Sequence, residues 1–500
     1  MIPMGKINAP FVIFQFLSHS IHLFLRIMSK YITIFSCLLL SLGLFAQEKW
    51  DLRKSVEYAL QNNITIRQQD VQARLSALTY EQSKLSVYPS VNISNSGGYQ
   101  FGRSIDPTSN QFTNSEILFV NHSLDVGVDI FNWFSKKNTI AANKYSAQAA
   151  TASVDKAKND IALNVANAYL QVLLNAEQIN ISKVQVQQSI DQVDITRKQV
   201  NAGSLPELNL LELQTQLAND STTLITAQSN YTLSVLQLKA ILFISAEQPF
   251  EVDVPNVEQI PVESIGDLQP EEVYKLALAN LPQQKINNLR LLAAKSNVAA
   301  TKGALYPTLS AFGGIGSRYA NQQKLYPTSY ADFDQIIGTV ETTSENVITQ
   351  VKRPITFEKY NYFRQTSDNF NQSVGLSLRI PIFNGGQART NWKRAQLNVR
   401  DVELQRDLDA QTLKQNIYQS YTSAVAALQK FNSSTKSVET AEKAYNFAKK
   451  RYDIGLLNTI DLITNQNNLF RAKINLVSAQ YDYVFKMKLL EFYKGQGLKL

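Results

Sequence analysis

Residues 438–469 read VETAEKAYNFAKKRYDIGLLNTIDLITNQNNL. Val438, Tyr445 and Tyr452 recur every seventh residue up to the turn Asp453-Ile454-Gly455-Leu456-Leu457-Asn458, and Leu462 and Leu469 resume the period beyond it. Apolar residues held at a period of seven describe helices that pack as coiled coils. Gly455 suits the left-handed residue that closes a helix, and Asn458 suits the cap of the next. The stretch predicts two long antiparallel helices joined by a tight turn.

Outward from the turn the pattern persists. Ile417, Ala424 and Phe431 extend it on one side, and Leu476, Tyr483 and Leu490 on the other. The same design stands 252 residues earlier. Val165, Val172, Ile179, Val186, Val193 and Val200 lead to Asn201-Ala202-Gly203-Ser204-Leu205-Pro206, and Leu210, Leu217, Leu224, Tyr231 and Leu238 follow. Gly203 takes the place of Gly455, and Pro206 fits the first helical position of the second helix. A helix of roughly 65 residues over 135–200 is a rod of about 100 Å, longer than a globular domain needs.

The chain is thus an internal duplication. Earlier markers match at an offset of 218: Glu57-Tyr58-Ala59-Leu60-Gln61-Asn62 with Lys275-Leu276-Ala277-Leu278-Ala279-Asn280, and Tyr88-Pro89 with Tyr306-Pro307. The offset rises by 34 within roughly 317–372, which reads as a long polar loop matching a shorter one around 103–122. Four parts result: a leader over 1–46, a first repeat over 47–244, a linker over 245–270 with four prolines, and a second repeat over 271–500. Each repeat runs helix, β-hairpin, long helical hairpin.

The segments flanking the loops alternate with period two, as half-buried strands do. Leu124, Val126, Val128 and Ile130 share a face, with Asp125, Gly127 and Asp129 opposite. Val374, Leu376, Leu378, Ile380 and Ile382 share another, with Arg379 opposite. Val91, Ile93, Tyr99 and Phe101, and more weakly Leu309, Ala311 and Ile315, form the remaining two. Their lengths suit tilted strands that cross an outer membrane. Four strands cannot close a barrel and open edges are not tolerated in lipid, so several chains must share one barrel. Asp125, Asp129 and Arg379 would then line its lumen, or simply face water on a half-buried sheet.

Composition narrows the function. The 500 residues are 44% hydrophobic and 18% charged, with 1 Cys and 3 His, which argues against zinc sites, disulfide scaffolds and Cys/His catalysis. Arg26 and Lys30 precede the apolar run Ile32 to Phe45, and Ala46 follows, the pattern of a secretory signal peptide. Its removal takes Lys6, Arg26 and Lys30, lowering the net charge of +8 by three, and takes Cys37, His19 and His22. The remaining charge is spread thinly and forms no basic block for nucleic acid. No enzyme, no cofactor and no metal is expected.

The duplicated Tyr-Pro strand starts, the strand-to-helix corners Ile130-Phe131-Asn132-Trp133 and Pro381-Ile382-Phe383-Asn384-Gly385-Gly386, and the turn segment Arg451 to Leu462 together resemble the TolC-type outer membrane efflux family. The resemblance covers roughly 50–495. It implies a mainly α fold with short β-hairpins: duplicated helical hairpins forming an α-barrel in the periplasm, and four strands per chain contributing to a 12-stranded barrel in a homotrimer. It implies outer membrane lipid, a periplasmic adaptor and an inner-membrane pump as partners, and passive export in efflux or type I secretion. It places a gate at the turns. Asp461 matches a gate aspartate, Thr464 stands where a second acid is usual, and Tyr452 matches a gate tyrosine; Asp461 equally fits an acid in a helix's first turn, favoured by the dipole, and Tyr452 a heptad core residue. Asn209 replaces that tyrosine's acidic partner, and Leu457 replaces the gate arginine. The competing reading is a secreted coiled-coil structural protein or adhesin, which explains the heptads but not the paired hairpins.

Overall fold

The computed structural model describes residues 49–105, 111–114, 116–254, 260, 262–321 and 325–495; the expected leader lies outside them. The first repeat holds helices α1 (Leu52–Asn62) and α2 (Ile64–Leu85), strands β1 (Ser90–Gln100), β2 (Arg103–Ile105), β3 (Phe112–Asn114) and β4 (Ile117–Phe131), then helices α3 (Ser135–Asn201) and α4 (Glu207–Leu242). The second holds α5 (Pro270–Asn280), α6 (Pro282–Gly303), β5 (Thr308–Ala320), β6 (Leu325–Thr339), β7 (Asn346–Lys359), α7 (Tyr362–Asp368), β8 (Asn371–Arg379), α8 (Gln387–Asp453) and α9 (Thr459–Tyr493).

The two rods α3 and α8 are each 67 residues long, about 100 Å at helical rise. Each is joined to its return helix by the same device. Gly203 and Gly455 take φ of +75° and +76°. The amide of Ser204 donates to Gln199 O (2.9 Å), and that of Leu456 to Arg451 O (2.8 Å), closing the spare carbonyls of the last turn. Asn458 caps α9, its side chain accepting from Asp461 N at 2.7 Å. Pro206 differs from expectation: it is the extended residue before α4, and Glu207 is the first helical one.

The rods carry neighbours in two tiers. Along its lower half α3 packs on α4 and α9, and along its upper half on α2 and α6; α8 packs on α9 below and α6 above. The tiers meet end to end. Asn63 Nδ2 donates to Ile241 O at the end of α4, and Asn280 Nδ2 to Lys494 O beyond α9, both at 3.0 Å. The densest packing lies at these junctions, in two clusters related by the duplication. Ala59, Val165, Val172 and Leu238 are buried in one. Ala277, Ile417, Ala424 and Leu490 are buried in the other. Burying the valine, isoleucine and leucine side chains among them stabilises by about 1.5–3 kcal/mol each, which fixes the height at which the tiers join.

Four strands form one antiparallel sheet in the order β1-β4-β5-β8. Its register puts Val91 beside Val126, Ile93 beside Leu124, Leu124 beside Ile315 and Leu309 beside Leu378. Residues paired across antiparallel strands share a face, so one face is apolar over all four strands. A bulge between Asp129 and Phe131 changes one expectation: Phe131, rather than Ile130, pairs with Leu309. β8 ends at Arg379, leaving Ile380 and Ile382 beyond the strand.

The segment 317–372 is not a coil loop. It contains the end of β5, a hairpin of β6 and β7, and the helix α7. The extra residues lengthen a ladder: β2 and β3 pair over three residues each, whereas β6 and β7 run for 15 and 14. Both faces of the long hairpin are largely exposed, so its sequence has no apolar-polar alternation to betray strands.

Candidate functional site

The lower turns bring several of the expected gate residues together. Tyr452, in the last turn of α8, is buried against Ala448 and Leu462, with Tyr445 and Leu457 at the rim of the cluster. Its hydroxyl lies 3.3 Å from Thr196 Oγ1 on α3. Thr196 is fully buried, so this contact joins the two helical hairpins out of reach of water. Asn209 lies in the first turn of α4 and makes no bond to Tyr452; the partner is Thr196. Asp461 is exposed in the first turn of α9, where it both donates its amide to Asn458 and accepts from Asn458 Nδ2 at 2.9 Å. The reciprocal pair and the helix dipole hold the carboxylate at the turn. Thr464 donates to Ile460 O within its own helix.

Thr196 is not among the residues expected at the gate, although the sequence carries a signal for it. The period of seven marks one seam of α3, through Val193 and Val200. Three residues on from each seam position, Ser182, Ser189 and Thr196 form a second, polar seam, and all three are buried. Above the Tyr452 contact this seam opens into a larger network. Asp220 on α4, buried, accepts from Ser189 Oγ at 2.5 Å and from Gln216 Nε2 at 2.8 Å, with Gln185 Nε2 at 3.4 Å. Ser189 also accepts from Gln466 Nε2 (3.1 Å), and Gln216 Nε2 reaches Asn467 Oδ1 (3.0 Å), both on α9. Burial pushes the Asp220 carboxyl above the usual carboxylate range, while its three neutral donors pull it back only in part.

The sheet presents a polar face and an apolar face. On the polar one, Asp125 pairs with Asn92 and Gly314 and accepts from Ser123 Oγ at 3.0 Å. Asp129 accepts from Ser310 Oγ (2.8 Å) and forms an ion pair with Lys136 (2.9 Å). Arg379 pairs with Thr308 on the same face at the lower end. The opposite face is apolar and exposed, as at Val374 (91%) and Leu376 (69%). Toward the loop end it gives way to the row Asn95, His122 and Ser317. Tyr362 of α7 closes that row, its hydroxyl 2.5 Å from His122 Nε2.

At the lower end of the sheet Phe131, Trp133, Phe134 and Tyr306 form an aromatic cluster, with Trp133 and Tyr306 ring centres 4.8 Å apart. Trp133 and Phe134 hold positive φ (51° and 59°). At the matching corner of the second repeat the same backbone is taken by Gly385 and Gly386 (65° and 78°). A left-handed non-glycine residue costs about 1–2 kcal/mol, so the first corner keeps two large rings against backbone strain. Aromatic side chains at the edge of an apolar band are the mark of a membrane-water interface. No helix among the described residues is long and apolar enough to cross a membrane.

Comparison with known proteins agrees with this arrangement. The family described as outer membrane efflux protein matches residues 56–242 and 273–493, one segment in each repeat. The chain is 22% identical over 362 residues to outer membrane protein TolC of Escherichia coli, covering 72% of this chain and 66% of that one. It is 21% identical over 437 residues to nodulation protein T of Rhizobium leguminosarum biovar viciae, covering 86% of this chain and 78% of that one. Among solved structures it is similar to CusC, with a TM-score of 0.72 at 15% identity, over 91% of this chain and 96% of the other.

Proposed function

The chain belongs to the outer membrane efflux protein family, and from that membership we propose that it is the outer membrane exit duct of a tripartite efflux or type I secretion system. The observation that carries the reading is the sheet. It is apolar on one face, polar on the other, carries an aromatic cluster at one end, and its outer strands β1 and β8 have no further strand beside them among the described residues. In lipid such edges must be paired, and four strands are too few to close. β1 of one copy therefore meets β8 of the next, and three copies make a barrel of twelve.

The helices support the same closure. In the upper tier α3 lies between α2 and α6, whereas among the described residues α8 packs chiefly on α6, with the short α5 at its lower part. The missing neighbour of α8 is α2 of the next copy. Leu397, Leu404 and Leu408 of α8 are exposed on one side of the protomer, and Val71, Leu75 and Leu78 of α2 on the other. Joining them removes apolar surface from water on both. The closed tube receives cargo from a periplasmic adaptor and an inner-membrane pump, with Asp125, Asp129 and Arg379 facing the water-filled barrel. A secreted adhesin would leave the apolar sheet face without a partner.

The gate of this duct lies at the lower turns. Tyr452 and Thr196 tie the two hairpins, Leu457 and Leu462 pack beneath them, and Asp461 repeats around the axis as a ring of negative charge. Asn209 and Thr464 flank that ring. Cell fractionation tests the reading: the protein is expected in outer membrane as a heat-sensitive oligomer of three. A soluble monomer would overturn it. Asp461→Ala combined with Tyr452→Phe should raise single-channel conductance, and an unchanged conductance would remove these residues from the gate.

A further inference from the structure

The long hairpin β6–β7 is the one large feature that the duct does not explain. It extends the loop end of the sheet, opposite the helices, by strands of 15 and 14 residues, about 50 Å when extended. Its base is tied down: Tyr326 packs at a tilt against Tyr360 (5.3 Å), lies under the Arg364 guanidinium (5.1 Å) and donates to Glu358 (2.6 Å). Beyond Tyr330 both faces are exposed, including Phe333, Ile336, Ile337, Val347 and Ile348. A two-stranded hairpin is marginal in water by itself, and long apolar edges of this kind pair with whatever strand they meet.

The charges select the strand. The distal part of β6, from Tyr330 to Thr339, carries Asp332 and Asp334 and no base. The distal part of β7, from Asn346 to Arg353, carries Lys352 and Arg353 and no acid. Within one hairpin Asp332 stands opposite Lys352 and Asp334 opposite Gln350, so one strand is negative, the other positive, and acid and base lie at the same height. Pro327 and Pro354, which interrupt ladders, lie below this region. We propose that the distal hairpins of the three copies pair edge to edge, β7 of one with β6 of the next, forming a collar above the external mouth of the barrel. The inference rests on the trimeric reading above. Opposite charges then meet at every junction, and each heterologous contact closes under three-fold rotation. Six strands enclose a narrower ring than twelve, so the collar constricts the exit.

The test uses the full chain with Cys37→Ser and Thr342→Cys at the hairpin tip, spin-labelled and purified as the oligomer. Pulsed dipolar spectroscopy should give one narrow distance within about 25 Å, set by strand spacing in a six-stranded ring. Adding Asp332→Lys and Asp334→Lys should broaden and lengthen it, and further adding Lys352→Asp and Arg353→Asp should restore it. A broad distribution reaching beyond about 40 Å in an intact trimer overturns the collar and leaves the duct standing. Loss of the trimer in the unlabelled chain overturns both.

Discussion

Asp220 offers the sharpest test of how the helical tube is held together. Its carboxylate is buried between α3, α4 and α9 and is met only by neutral donors: Ser189, Gln216 and Gln185. The raised carboxyl pKa fixes the sign of the pH dependence. A carboxyl whose folded pKa lies above its unfolded value contributes stability below the unfolded value, near 4, and loses it as pH rises through the folded one. The junction is therefore weaker at pH 8 than at pH 4. Asp220→Asn removes the charge and keeps the shape. Its oxygen can still accept from Gln216 and its amide can donate to Ser189 Oγ, while the Ser189 hydroxyl proton and the long Gln185 contact lose their acceptor. Relief of the buried charge should outweigh these losses and stabilise the junction by about 1 kcal/mol at pH 8. Asp220→Ala leaves the Ser189 hydroxyl without its acceptor, while Gln216 keeps Asn467, and should cost about 1–3 kcal/mol. Hydrogen exchange of the 213–224 segment, corrected for intrinsic rates, reads both effects. Slower exchange in Asp220→Asn at pH 8, converging with the parent near pH 4, is the expected result. Faster exchange in Asp220→Asn at pH 8 would mean that the ionised carboxylate stabilises the junction, and the reasoning would fail.

Three further outcomes follow from the same geometry. Thr196→Val keeps the volume but leaves the Tyr452 hydroxyl buried without a partner, at a cost of about 1–3 kcal/mol; the lower turns should open more often, read as a larger open fraction in single-channel records. Gly303→Ala puts a methyl 2.8 Å from Ser135 Cβ and 3.2 Å from Trp133 O, where α6 meets the start of α3. The two must separate, costing about 1–3 kcal/mol, and the oligomer should dissociate at a lower temperature on gels. Phe134→Gly relieves a left-handed residue but removes a ring of the interface cluster; the helices should melt no lower while recovery in the outer membrane fraction falls.

Much of this architecture is legible in the sequence because it repeats. The heptads of Val165 to Val200 and of Ile417 to Tyr452 are set by packing along rods, and packing leaves a period. Asn458 and the two turn glycines are equally visible, since a helix end needs particular backbone chemistry. The β6–β7 hairpin was visible only as 34 extra residues. With both faces exposed it has no buried side to impose alternation. The polar seam of Ser182, Ser189 and Thr196 was hidden for the opposite reason. Small hydroxyl side chains on a helix read as water-facing, and only the fold reveals that α4 and α9 cover them. Asn209 was reached by position within a family pattern, whereas the contact of Tyr452 depends on how far the rods are rotated about their axes.

In the proposed duct, four strands per chain, joined by threes, make a membrane pore continuous with the helical tube. Ion conductance of the purified oligomer in a planar lipid bilayer tests it most directly. Discrete, long-lived conductance steps of one size are expected, rising when Asp461→Ala and Tyr452→Phe loosen the lower turns. A purified trimer that inserts in lipid and carries no current in either form would contradict it.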